Sequence, residues 1–274
     1  MPNTDPGLFE ESWLETPPFP DWNRSPTFVR PEELIGVLDL TTLQGDDSAE
    51  RVMELAAKAC GSQKVPPCSA VCVYPVFVET ARGKIAVASV ANKNVKVATV
   101  AGGFPHGLSP LEARIFEVES CQHADEIDVV IRRDLALQGK WKLLFDEVQH
   151  MRAAAGERLL KVILATGELK DPIVIYRASL CALMAGANFI KTSTGKEVVN
   201  ATLEAGIPMA AALRVYQERT GRSCGIKAAG GIRTLADARL WHSLVYHLLG
   251  SDSCSANRFR IGASALYDDL ASQI

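Results

Sequence analysis

Leu159-Leu160-Lys161-Val162-Ile163-Leu164-Ala165 is followed by Pro172–Met184 and then by Phe189-Ile190-Lys191-Thr192. The first stretch reads as a strand buried on both faces, and Pro172 suits the first turn of a helix. The third is a short apolar run again, so the three make one strand–helix–strand unit. The same texture recurs outward from it. Val37–Leu40, Ala70–Tyr74, Val95–Val100, Glu126–Ile131, Gly225–Ala228 and Phe259–Gly262 are further strand-like runs. Ser48–Cys60, Pro110–Cys121 and Leu235–Leu249 are helix-like, with Ser48 placed as an N-cap. Eight runs alternating with helices predict an α/β fold, a closed (β/α)8 TIM barrel, for which about 250 residues is typical. An open doubly wound sheet is the alternative. Against it, no Gly-x-Gly-x-x-Gly follows the first run, and Gly195-Lys196 leads into Glu197 rather than the Ser or Thr of a P-loop.

The 274 residues are 47% apolar and 22% charged, which excludes disordered and collagen-like classes. A net charge of −3, with no long run of either sign, predicts a small-molecule partner, with no nucleic acid and no membrane surface. The longest stretch free of charged side chains, Val97–Leu111, contains glycines and prolines and falls short of the roughly 20 apolar residues of a membrane span. Asp5, Glu10, Glu11, Glu15 and Asp21 precede Arg24, the reverse of a secretory or mitochondrial leader, so the expected location is cytoplasmic. Seven scattered cysteines without a Cys-x-x-Cys pair read as reduced thiols, with no disulfide framework and no zinc site.

Half of the 14 prolines lie at or before Pro31, in a segment with neither helical nor strand period. Residues 1–33 are therefore expected to form an N-terminal extended arm on a barrel of residues 34–274. Trp13, Phe19 and Trp22 leave three options for it: a loose tail, packing on the barrel, or packing on a neighbouring subunit of a homo-oligomer.

Charges inside runs that should be apolar are the informative anomaly, because a buried charge needs a partner. Asp39, Asp128, Lys161, Lys191 and Lys227 lie in five different runs. Alternate residues of a barrel strand point inward, so one register brings all five into a shared interior. Two acids and three lysines there suggest amine catalysis. A lysine with its ordinary pKa of about 10.4 leaves roughly one molecule in 2,500 neutral at pH 7. A second ammonium at about 4 Å, at an effective dielectric of about 20, repels by about 4 kcal/mol, roughly three pKa units. One lysine of a pair would then be a nucleophile near neutrality, with a carboxylate shuttling protons through water. Structural Lys–Asp ion pairs are the competing explanation. They do not account for Gly230-Gly231 and Gly262-Ala263-Ser264, small-residue turns after the last two runs, where barrels often bind phosphate. Cys72 shares the inward parity, as a reactive thiol or as a buried structural one. His106, in Gly103-Phe104-Pro105-His106-Gly107, either faces substrate or is a plain loop residue.

These residues resemble a known family. Leu38-Asp39-Leu40-Thr41-Thr42-Leu43, Ala70-Val71-Cys72-Val73-Tyr74-Pro75, the Gly103–Gly107 turn, Asp125–Val130 and Thr166-Gly167-Glu168-Leu169 are similar, in order, to deoxyribose-phosphate aldolase. So are Phe189–Lys196 and Ala229-Gly230-Gly231-Ile232-Arg233. The resemblance implies a class I aldolase, needing neither metal nor cofactor. It would cleave 2-deoxy-D-ribose 5-phosphate reversibly to acetaldehyde and D-glyceraldehyde 3-phosphate. By the same resemblance Lys191 forms the Schiff base, Lys227 depresses its pKa, and Asp128 acts with water as acid and base. Asp39 and Lys161 complete the polar network, with Cys72 as a supporting residue, and Gly195, Gly230, Gly231 and Ser264 hold the phosphate. The partners implied are the sugar phosphate and the aldehydes, and the setting is deoxyribonucleotide and carbohydrate catabolism. Ile226, Ala228 and Ala265 depart from the Phe, Pro and Ser usual in the family, and no tyrosine-bearing tail follows before Ile274. Two rivals follow from the same residues: a transaldolase-like Schiff-base barrel, and a silent sugar-phosphate-binding barrel.

Overall fold

The computed structural model describes residues 8–23, 25–88 and 94–274; Pro2, Asp5, Pro6 and Arg24 lie outside the described residues. The eight expected runs form β1 (Leu38–Thr41), β2 (Ala70–Val73), β3 (Lys96–Ala101), β4 (Glu126–Val130), β5 (Leu159–Ile163), β6 (Phe189–Lys191), β7 (Gly225–Ala229) and β8 (Phe259–Ala263). All pair in parallel in chain order, and β8 closes on β1 through Leu38–Ile261, Asp39–Gly262 and Leu40–Ala263. The doubly wound alternative is thereby excluded. Strands covered on both faces have no polar side to show, so their runs are apolar without alternation. The helices between them have local start signals. Ser48 caps Ala49–Ala59 by accepting from the Arg51 N–H, and Thr234 and Asp237 form a reciprocal capping box on Leu235–Leu249.

Among the described residues two apolar clusters result. A large one fills the layer between strands and helices, from Leu34 to Leu270. A small one, Leu43, Ala70, Cys72, Ala98 and Val100, fills part of the barrel's interior, against Tyr74 and Phe104. The part of the interior lined by β1 and β4–β8 carries charged side chains, with Val130, Ile163 and Phe189 at the same inward parity. Small residues on β2 and β3 thus leave room for long lysine and arginine side chains arriving from the opposite wall.

The arm packs on its own barrel. The helix Pro172–Met184 is buried from Ile175 to Met184 nearly all round, more than one core-facing stripe requires. The arm covers its outer side: Phe19 lies 6.1 Å from the Tyr176 ring, and Arg177 Nε donates to the Leu14 carbonyl at 3.1 Å. Further along, Ser243 Oγ donates to the Ser25 carbonyl and Arg239 to that of Val29. The expected boundary after residue 33 falls inside a helix, Pro31–Ile35, whose Leu34 and Ile35 belong to the core.

Candidate active site

Register places the embedded charges level with one another. Asp128 is the Cα partner of Lys161, Lys191 of Lys227, and Lys227 of Arg260. All five expected residues are buried and in contact. Lys227 Nζ lies 2.5 Å from Asp39 Oδ2 and 2.8 Å from Asp128 Oδ2. Lys191 Nζ reaches the same Asp128 oxygen at 2.8 Å, and Lys161 Nζ holds Asp128 Oδ1 at 2.7 Å. Gly262 makes space for this, because a Cβ there would stand 3.0 Å from Lys227 Cε.

Two further residues belong to the cluster. Arg260 Nη1 lies 2.6 Å from Asp39 Oδ1, and its Nη2 lies 2.9 Å from Glu126 Oε1. Glu126 Oε2 in turn meets Lys161 Nζ at 2.6 Å. Counted formally, three carboxylates face four cations, one positive charge in excess. Releasing the proton of a single lysine brings the interior to balance.

Among the three lysines, Lys191 is the one whose ammonium the surroundings disfavour. Burial pushes its ammonium pKa down, and Lys227 adds to this while Asp128 opposes it. The neighbouring ammonium, expected from sequence to be the main cause, is thus secondary to desolvation. For Lys227 and Lys161 burial acts in the same direction, but the surrounding carboxylates outweigh it and hold both above the ordinary lysine value. Burial would raise Asp128, yet Lys161, Lys191 and Lys227 together keep it well below the usual carboxylate range.

Above the cluster a cavity of about 310 Å³ opens at the ends of β6, β7 and β8. Lys191 is on its wall, 2% exposed, whereas Lys161 and Lys227 are fully enclosed. Gly195, Gly230, Gly231 and Ser264 line the same cavity. Gly230 and Gly231 both take φ near +80°, which favours glycine. The Gly195 N–H is donated to the Glu197 carboxylate at 3.1 Å rather than offered to the cavity. Cys72 sits in the inner apolar cluster, where burial pushes its thiol up. His106 is exposed and lies outside the cavity wall.

The sequence from 34 to 245 matches the family model described as DeoC/LacD family aldolase. The chain belongs to this family. Its relatives include the deoxyribose-phosphate aldolases of Homo sapiens, 44% identical over 255 residues, and Mus musculus, 45% identical over 251; each match spans 86% of this chain and 78% of the relative. Among solved structures, the tetrameric deoxyribose phosphate aldolase of Aeropyrum pernix superposes with a TM-score of 0.67 at 25% identity, over 88% of this chain and 91% of that one. A Toxoplasma gondii chain shares the fold with a TM-score of 0.80 at 24% identity, over 88% and 93%.

Sequence reasoning passes over four residues of this DeoC/LacD aldolase. Glu126 and Arg260 carry the same signal as the other five, a charge in an apolar run. Glu126 stands two residues before Asp128, at the same inward parity. Lys196 and Arg233 put two cations on the cavity wall beside the glycine turns. In sequence they are charges in polar loops, which carry no signal of their own.

Proposed function

We propose that this aldolase reversibly cleaves 2-deoxy-D-ribose 5-phosphate to acetaldehyde and D-glyceraldehyde 3-phosphate through a Schiff base on Lys191. The observation that carries this reading is that Lys191 alone of the three interior lysines both faces the cavity and has its ammonium disfavoured. Its amine attacks the C1 carbonyl of the open-chain sugar, and loss of water leaves an iminium. Removal of the C3 hydroxyl proton then breaks the C2–C3 bond. The electron pair moves into the iminium, which becomes an enamine, and D-glyceraldehyde 3-phosphate departs. Protonation at C2 and hydrolysis release acetaldehyde and restore the amine.

In this reading Asp128 and water exchange the protons, Lys227 holds Asp128 ionised, and Asp39 and Lys161 keep Lys227 and Asp128 in place. Gly230, Gly231 and Ser264 supply the phosphate's backbone donors, with Lys196 and Arg233 beside them. Gly195 shapes the turn that brings Lys196 to the cavity. Of the arm (1–33), the described residues 8–23 and 25–33 buttress the catalytic barrel (34–274) from outside. The role is catabolic and cytoplasmic, and self-association of the barrel is part of the proposal.

The test is borohydride reduction in the presence of acetaldehyde, followed by peptide mass mapping. The expected result is one adduct on Lys191, with cleavage of 2-deoxy-D-ribose 5-phosphate into the two named products. An adduct on Lys227, transfer of a larger ketose fragment, or phosphate binding without any adduct would each overturn the reading.

A further inference from the structure

Arg133 and Glu197 stand outside the cavity wall, yet they tie one segment that forms it, the loop after β6, to the segments after β3, β4 and β5. Arg133 follows β4, five residues beyond Asp128. Its guanidinium lies 2.8 Å from Glu168 Oε2 in the loop after β5 and donates to the Pro105 carbonyl after β3 at 2.5 Å. Its Nη2 lies 3.6 Å from Glu197 Oε1 in the loop after β6. The Glu197 side chain is only 2% exposed, although Lys196 and Val198 on either side of it face solvent. Its carboxylate accepts from the N–H groups of Thr194 and Gly195, all at 3.1 Å. The loop continues to Asn200, whose Nδ2 donates to the Glu197 carbonyl, and a Cβ on Gly230 would lie 2.7 Å from Asn200.

We propose that Arg133 and Glu197 are positioning residues: they clamp the loop carrying Gly195 and Lys196 into the shape that binds the substrate's phosphate. The proposal rests on the deoxyribose-phosphate reading above. A buried carboxylate is costly without a facing cation, and Arg133 supplies it. Glu197 uses the Gly195 N–H itself, which leaves the phosphate to the glycine turns after β7 and β8 and to the Lys196 and Arg233 side chains. A carboxylate this close to a phosphate site has two conceivable effects, of opposite sign. As a clamp it improves phosphate binding; as a resident anion it opposes it. Glu197 is not part of the cavity wall, which Thr194, Gly195 and Lys196 line, and its carboxylate is engaged by the Thr194 and Gly195 N–H groups; this favours the clamp.

Inorganic phosphate titrated calorimetrically into the wild type, Glu197→Gln, Glu197→Ala and Arg133→Lys reads the cradle without any chemistry. Glu197→Ala should weaken phosphate binding about 10-fold, the scale of one charge-assisted hydrogen bond, and the two conservative variants less. In turnover the same variants should raise KM for 2-deoxy-D-ribose 5-phosphate while leaving kcat/KM for unphosphorylated 2-deoxy-D-ribose within about twofold. Tighter phosphate binding in Glu197→Gln, or equal losses on both sugars, would overturn the clamp. Should Glu197→Ala fail to fold, Arg133→Lys decides, since it keeps the charge and loses only the planar fork. Weakened phosphate binding in the variants of a protein that cleaves neither sugar would leave the clamp standing and remove the proposed reaction.

Discussion

Lys227 sits between Asp39 and Asp128, and taking it away alters the charge count of the whole interior. In Lys227→Leu three carboxylates face three cations, so Lys191 is held as an ammonium by the Asp128 oxygen it already touches. Its pKa climbs toward or beyond the ordinary value of about 10. Trapping of acetaldehyde on Lys191 should therefore fade at neutral pH and recover as pH is raised, with cleavage down by about 10²–10⁴. In Lys191→Leu trapping should vanish at every pH; borohydride trapping across pH 6–10 separates the two, and identical profiles would sink the charge argument. Arg260 is the second lever. Removing it as Arg260→Met leaves Asp39 and Glu126 short of a partner in a dry interior, at a cost of about 3–5 kcal/mol. The double variant Arg260→Met/Glu126→Leu should regain part of that loss in urea unfolding, because Glu126 goes with its partner while Asp39 keeps Lys227. A double variant no more stable than the single one would show that the pair is not the unit.

At the scale of elements, the turn after β7 separates two kinds of glycine requirement. Gly230 and Gly231 share a positive φ, so Ala is strained at either. Only at Gly230 does the added Cβ also collide, with Asn200 at 2.7 Å; at Gly231 nothing stands within 4 Å. Gly230→Ala should therefore weaken use of the phosphorylated sugar more than Gly231→Ala, as KM values on 2-deoxy-D-ribose 5-phosphate would report, and the reverse order would misplace the turn. The strands themselves are legible in the sequence, because a barrel strand covered on both faces must be apolar and any charge within it stands out. Asp39, Asp128, Lys161, Lys191 and Lys227 are found that way, and Arg260 carries the same mark. Arg133 and Glu197 are not legible, since a charge in a polar loop is what solvent exposure alone would produce. Nor is the arm's docking. Its contacts are single aromatic residues without a period, and the surplus apolar character of Pro172–Met184, read from the other side, is the better clue. The final charge balance lies beyond sequence as well, because it depends on burial, which outranks the lysine pair in lowering Lys191.

For the whole molecule, stability should follow the buried acids. Asp39 and Asp128 are held well below the usual carboxylate range in the folded chain. Between that low value and about 4 the unfolded chain binds more protons, so their contribution is fully present above about pH 4 and is lost as pH falls further. The urea midpoint should drop as pH falls below about 4; a midpoint at pH 3 equal to that at pH 5 would contradict this. The cluster draws on β1, β4, β5, β6, β7 and β8, from Asp39 to Arg260, and no single stretch of chain can neutralise it. Amide exchange in these six strands should accordingly proceed through one shared opening rather than strand by strand. A slip of one residue in any of them would turn its charge outward into the aliphatic layer beneath the helices and strand the partners left behind. The ion cluster thus works as a proofreader of assembly: a barrel threaded in the wrong register is rejected by the same residues proposed to break the carbon–carbon bond.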